Sequence, residues 1–198
     1  MGQINPDMAF GALIKKIAGE PDVKSIVDIG AWNGLGTTRC LMEGIKDRTD
    51  AHVYSYENKK DFWQVAARNW QGNDKVSVIY GRLTDRLMTP EEITTHRHFA
   101  NVKDHYDLWY ADDVKCFKDS PLVAPPGTID FVVIDGGEFS TQGDWEVVSK
   151  YEPKYIGLDD TQVIKCSDIE AELDNNPKYE KIGSGKDRNG WALFKLKQ

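Results

Sequence analysis

The run Ser25-Ile26-Val27-Asp28-Ile29 is short, apolar and β-branched, and it carries an acid near its end. It is followed by Gly30-Ala31-Trp32-Asn33-Gly34 and then by a helix-forming stretch over residues 35–45. This strand–turn–helix unit constrains the chain more than any other feature. Its glycines let a ligand approach the backbone, and the helix start offers free N–H groups to a polar or anionic group. The acid favours a cationic or hydroxyl-rich ligand close by. Together these features describe a pocket for a nucleoside-type cofactor.

Residues 7–19 read as an amphipathic helix, with Met8, Leu13, Ile14 and Ile17 on one side. Strands are expected at 25–29, 51–57, 75–80, 129–135, 155–158, 178–182 and 191–196. Helices are expected at 35–45, 59–70, 142–150 and 163–173. Alternation of this kind predicts a Rossmann-like, doubly wound α/β fold, with a mostly parallel seven-stranded sheet. The last two strands have no helix between them and should pair antiparallel. Residues 129–135 are apolar enough for a central strand buried on both faces.

At 198 residues, the chain fits a single domain. The segment 85–128 is too long for a simple connection. It contains Pro90-Glu91-Glu92, a good helix start, and a helically spaced stretch over 106–117. It is expected to be a substrate lid. A net charge of −7 and the lack of any Lys/Arg run argue against a nucleic-acid partner. Cys40, Cys116 and Cys166 are too widely spaced for a zinc knuckle, and reduced, buried thiols in a cytoplasmic protein are expected. No leader pattern or membrane-spanning stretch is apparent. A homo-oligomer would cover the apolar face of the short first helix.

In an open parallel sheet, ligands bind beyond the carboxyl ends of the strands. Here those ends carry Asp28, Glu57, Asp135 with Glu138, and the pair Asp159-Asp160. Glu57 can accept hydrogen bonds from both hydroxyls of a ribose, or it can cap the helix that follows. Trp32 stands where a dinucleotide fingerprint needs its second glycine. A ring there disfavours a pyrophosphate and tolerates a smaller sulfonium nucleoside, S-adenosylmethionine.

The turn Asp28-Ile29-Gly30-Ala31-Trp32-Asn33-Gly34 resembles the first motif of class I S-adenosylmethionine-dependent methyltransferases, nearest to the catechol-type and macrolide-sugar-type O-methyltransferases. Two further segments are similar to that group's later motifs: Phe131-Val132-Val133-Ile134-Asp135-Gly136-Gly137-Glu138-Phe139-Ser140 and Gly157-Leu158-Asp159-Asp160. The resemblance implies that Asp28, Gly30, Ala31 and Trp32 contact the methionine part, that Glu57 holds the ribose, and that Gly81-Arg82-Leu83 border the adenine. Asn33, Gly34, Thr37, Asn58, Asp135 and Gly136 complete the implied cofactor set.

The implied chemistry is methyl transfer to a hydroxyl of a small molecule, such as a sugar or a catechol-like acceptor. The protein must align the acceptor, exclude water and handle one proton. Asp135, Asp159 and Asp160 are hard oxygen ligands suited to Mg²⁺ or Ca²⁺. The catechol-type enzymes have Asn where this chain has Asp160. The competing reading of Asp160 and Thr161 is a helix cap. Glu138, with Asp135, is the catalytic candidate. The related groups carry Lys or His at that position, and Glu138 could also be a metal ligand or a loop acid. Lys165 reads as an exposed lysine, with neutralisation of the acid pair as the alternative. Trp109 and Tyr110 are candidates for a substrate wall. Two other functions fit the same fold: a methyltransferase-like nucleoside-binding protein without catalysis, and an NAD-dependent oxidoreductase.

Overall fold

The computed structural model describes residues 4–197. In chain order it runs α1 (Ala9–Ala18), β1 (Ser25–Ile29), α2 (Thr37–Gly44), β2 (His52–Glu57), α3 (Lys60–Asn69) and β3 (Val76–Tyr80). It continues with α4 (Pro90–Thr95), α5 (Tyr106–Asp119), β4 (Phe131–Ile134) and α6 (Thr141–Val148). It closes with β5 (Tyr155–Asp159), α7 (Ile164–Asn175), β6 (Tyr179–Gly185) and β7 (Trp191–Leu196).

The seven strands lie in the order β3-β2-β1-β4-β5-β7-β6. Pairs β1–β2, β2–β3, β1–β4 and β4–β5 are parallel, while β7 runs antiparallel to both β5 and β6. The sheet expected from sequence is therefore present. The strand order reverses between β1 and β4, which is where such a sheet opens a crevice at its carboxyl edge.

Side-chain alternation builds a core on each face. Phe131 and Val133 of β4 join Ile26, Leu41, Phe10 and Ile14 beneath α1 and α2. Val132 and Ile134 join Val27, Ile156, Trp145 and Ile169 beneath α6 and α7. All four residues of β4 are buried, as expected of a central strand. The segment 85–128 has a small core of its own, in which Ile93 and Val102 pack on Phe139 and Ile164. Thr89 caps α4 with a reciprocal box to Glu92, and Pro90 occupies its first turn.

The boundaries differ from expectation where turns intrude. α2 starts at Thr37 rather than Leu35, because residues 32–36 are taken up by the turn after β1. β6 runs on to Gly185, past an irregularity between Lys181 and Gly183. Cys40, Cys116 and Cys166 are free and buried. Among the described residues, no helix is long and apolar enough to cross a membrane.

Candidate functional site

β1 and β4 end side by side, so Gly30 meets the Asp135 main chain directly. A Cβ on Gly30 would run into the Asp135 carbonyl oxygen, and its φ of +93° suits glycine. The Gly30 and Ala31 amides donate to the Tyr56 carbonyl at 3.0 and 2.9 Å. The next amide, of Trp32, donates to Glu57 Oε2 at 2.7 Å, while the Lys59 amide donates to Oε1 at 2.8 Å. Glu57 thus ties the glycine turn to the end of β2 and holds the residue that precedes α3; it does not cap that helix, whose cap position is Lys59 with no side-chain cap bond. Each of its oxygens has a lone pair left over. Burial pushes its carboxyl up to about 7.

Trp32 sits at a φ of +48°, an uncommon conformation for a bulky residue, and its side chain is 45 % exposed against the edge of Phe62. A cavity of about 340 Å³ opens beside it, within the range of small-molecule sites. Gly30, Trp32, Glu57 and Asn58 line one side; Gly81, Arg82, Leu83, Asp135, Gly136 and Glu138 line others. A second cavity of about 250 Å³ shares Gly30, Trp32 and Asp135, and adds Ala31, Thr37, Asp160, Lys165 and Arg188.

Three residues of the expected cofactor set line neither cavity. Asp28 is fully buried beneath the turn and accepts from Thr38 Oγ1 at 2.6 Å and Ser55 Oγ at 2.8 Å. Gly34 backs onto α3, where Trp70 Nε1 donates to its carbonyl at 2.8 Å. The Asn33 carbonyl accepts from Asn69 Nδ2 at 2.9 Å. These three residues shape the turn from behind.

The segment 85–128 walls the larger cavity. α5 contributes Trp109, Asp112, Asp113 and Phe117. Lys59 forms an ion pair with Asp112, and Asp113 Oδ2 accepts the Phe139 amide at 3.1 Å. Of the two candidate wall residues, Trp109 lines this cavity, while Tyr110 packs on Tyr106 and Phe139. Asp144, on α6, lines the same cavity, and burial drives its carboxyl up to about 8. Nothing in the sequence separates Asp113 and Asp144 from solvent-facing helix acids; their burial depends on the tertiary packing of α5 and α6. The histidines of the segment line neither cavity, and His96 Nε2 faces Asp168 of α7 at 3.3 Å.

Glu138 lies near the start of α7, with the Lys165 backbone N–H facing its carboxyl, and its Oε1 is buried without a hydrogen-bond partner. Burial raises its carboxyl to about 7. The competing reading of Asp160 and Thr161 as a helix cap does not hold: the residue at the cap position is Val163, with no side-chain cap bond.

Asp135, Asp159 and Asp160 do converge, each with one oxygen within 4.8 Å of the others. Lys165, however, is not an exposed lysine. Its side chain is 9 % exposed, and Nζ lies 2.6 Å from Asp135 Oδ1 and 2.7 Å from Asp160 Oδ2. Arg188 Nη2 lies 3.0 Å from Asp159 Oδ2, and Asn189 Nδ2 donates to Asp160 Oδ1 at 3.0 Å. Burial disfavours the Lys165 charge, but Asp135 and Asp160 outweigh it and hold the ammonium well above the usual lysine value. A divalent ion bridging Asp135 Oδ1 and Asp160 Oδ2 would need the place that Nζ holds. The residues present therefore do not fit a divalent cation alongside Lys165.

Comparison with solved structures places this architecture. A Staphylococcus aureus protein assigned as a caffeoyl-CoA O-methyltransferase superposes with a TM-score of 0.61, at 18 % identity, over 96 % of this chain and 84 % of that one. The Podospora anserina methyltransferase bound to S-adenosylhomocysteine gives 0.59 at 14 % identity, over 95 % and 78 %. The Bacillus cereus O-methyltransferase in complex with S-adenosylhomocysteine gives 0.58 at 15 % identity, over 94 % and 80 %.

The fold is that of the class I S-adenosylmethionine-dependent methyltransferases.

No protein-family model and no curated protein matches the sequence. On this methyltransferase fold, both cavities open at the carboxyl ends of β1 and β4, where the strand order reverses; the larger extends to the ends of β2 and β3, the smaller to that of β5.

Proposed function

We propose that the protein transfers a methyl group from S-adenosylmethionine to a hydroxyl of a small molecule. The observation that carries this reading is Glu57. It is a buried carboxylate at the end of β2, oriented by two backbone amides, with acceptor capacity left over toward the 340 Å³ cavity. That pair of acceptor oxygens suits the paired hydroxyls of a ribose. Gly81, Arg82, Leu83 and Gly136 would border the base. Gly30, Ala31, Trp32 and Thr37 would surround the methionine end at the second cavity. Bound there, the cofactor supplies an electrophilic methyl on a sulfonium.

The remaining work falls to this chain's own residues. Trp32, Phe62 and Trp109 give the cavity aromatic walls that exclude water and orient an acceptor. Segment 85–128, through α5, would serve as the lid over it. Glu138 is the proton acceptor in this reading. With its carboxyl near 7, about half of it is ionised at neutral pH, which suits a general base. The larger cavity is lined by six acids and by the cations Lys59 and Arg82, and its volume suits a small-molecule acceptor. The three buried free thiols suit a reducing compartment such as the cytoplasm.

A second reading is favoured by one residue. Glu138 stands where the related groups carry Lys or His, and its Oε1 is buried without a partner, an arrangement that a nucleoside-binding protein without catalysis would equally tolerate. Incubation with methyl-labelled S-adenosylmethionine and a panel of hydroxylated acceptors separates the two. Transfer to any acceptor that is lost in Glu138→Gln supports the enzyme. Cofactor binding with no transfer across the panel supports the binding protein.

A further inference from the structure

We propose that the Lys165 ammonium is the resident cation of the Asp135–Asp159–Asp160 cluster, so that this site works without a divalent metal. The inference concerns the cluster's own chemistry and does not depend on the methyl-transfer reading. Three cationic or N–H donors already converge on the three carboxylates. Lys165 Nζ bridges Asp135 and Asp160, Arg188 Nη2 pairs with Asp159, and Asn189 Nδ2 takes the second oxygen of Asp160. Magnesium or calcium needs six or more oxygen ligands around one point. Here the space between the carboxylates is filled by hydrogen-bond donors, which repel such an ion.

The arrangement is built into the fold. Asp160 follows β5 in the left-handed region, at a φ of +61°, so its carboxylate lies over the start of α7. Lys165 is the second residue of α7, and its neighbours Ile164 and Cys166 are both buried. These two buried side chains fix the start of α7, so the Lys165 stem leaves the helix beside the carboxylates. Two carboxylates engage Nζ and leave one of its three N–H donors available toward the second cavity, which Lys165 lines.

The test is direct Mn²⁺ binding, followed by calorimetry and by the spin signal of free Mn²⁺, on the native chain, Lys165→Ala and Lys165→Arg. The native chain and Lys165→Arg are expected to take up no ion at millimolar Mn²⁺, and the native melting midpoint should be unmoved by a chelator. Lys165→Ala should gain at least about tenfold in affinity, because three carboxylates then share one arginine. Stoichiometric Mn²⁺ binding by the native chain, abolished by Asp160→Asn, would overturn the proposal; this arm holds even if Lys165→Ala fails to fold. A folded Lys165→Ala that binds no more Mn²⁺ than the native chain would overturn it as well.

Discussion

The Trp32 amide donates to Glu57 Oε2 at 2.7 Å, joining the turn after β1 to the end of β2 through one side chain. Because the Lys59 amide occupies the other oxygen, Glu57→Gln would present an NH₂ group to one of two backbone donors. That substitution should cost about 1–3 kcal/mol in urea unfolding. A neutral result would mean that neither amide depends on the carboxylate.

Gly30 has no room for a side chain between the ends of β1 and β4. Gly30→Ala would drive a Cβ into the Asp135 carbonyl at a φ of +93°. Destabilisation on the order of 3 kcal/mol is expected. Gly127 is the control: a Cβ there meets nothing within 4 Å, and Gly127→Ala should stay within about 0.5 kcal/mol. Thermal melting of the two variants compares them directly.

Stability should fall as pH rises toward the alkaline side of neutrality. Burial lifts Asp28 to about 6, Glu57 and Glu138 to about 7, and Asp144 to about 8. Each of these acids holds its proton more tightly folded than unfolded. Their contribution is complete below about pH 4 and is lost as pH climbs through about 6 to 8. His52 and His98, which burial holds below the ordinary histidine value, act in the opposite sense but are fewer and more exposed. In strong acid, Asp130 and Asp160, both held below the ordinary value, must protonate and stability falls again. The melting midpoint should therefore be higher at about pH 5.5 than at about pH 8. A midpoint that climbs across that interval would contradict the assignment of these buried acids as groups that burial keeps protonated.

If Glu138 accepts the acceptor's proton, the rate should rise with pH through about 7, its carboxyl value. Glu138→Gln should lower turnover by about a hundredfold or more while leaving cofactor affinity within a fewfold. A pH profile shared by the native chain and the variant would remove Glu138 from proton transfer.

The strands and helices were readable because their local signals agree with the fold. The β-branched run at 25–29, the buried run at 129–135 and the Pro90 helix start all hold within a few residues. Glu57 had two uses in sequence, a ribose contact or a helix cap; its place at the end of β2 puts it on the wall of the larger cavity. Lys165 was not readable. In sequence it is a lysine at the start of a polar helix, and its burial arises from the left-handed turn at Asp160, which no local propensity announces. Asp28 and Gly34 were read as ligand contacts from their place in the motif. Their side of the turn is filled by Thr38, Ser55 and Trp70, residues distant in sequence or reached only through tertiary packing.

Calorimetric titration with S-adenosylhomocysteine, on the native chain and on Glu57→Ala, tests the central claim most directly. The account predicts micromolar binding by the native chain and severe weakening in the variant, with a cooperative melt showing that the variant is folded. Equal affinity in the two chains, or no binding by the native one, would contradict it.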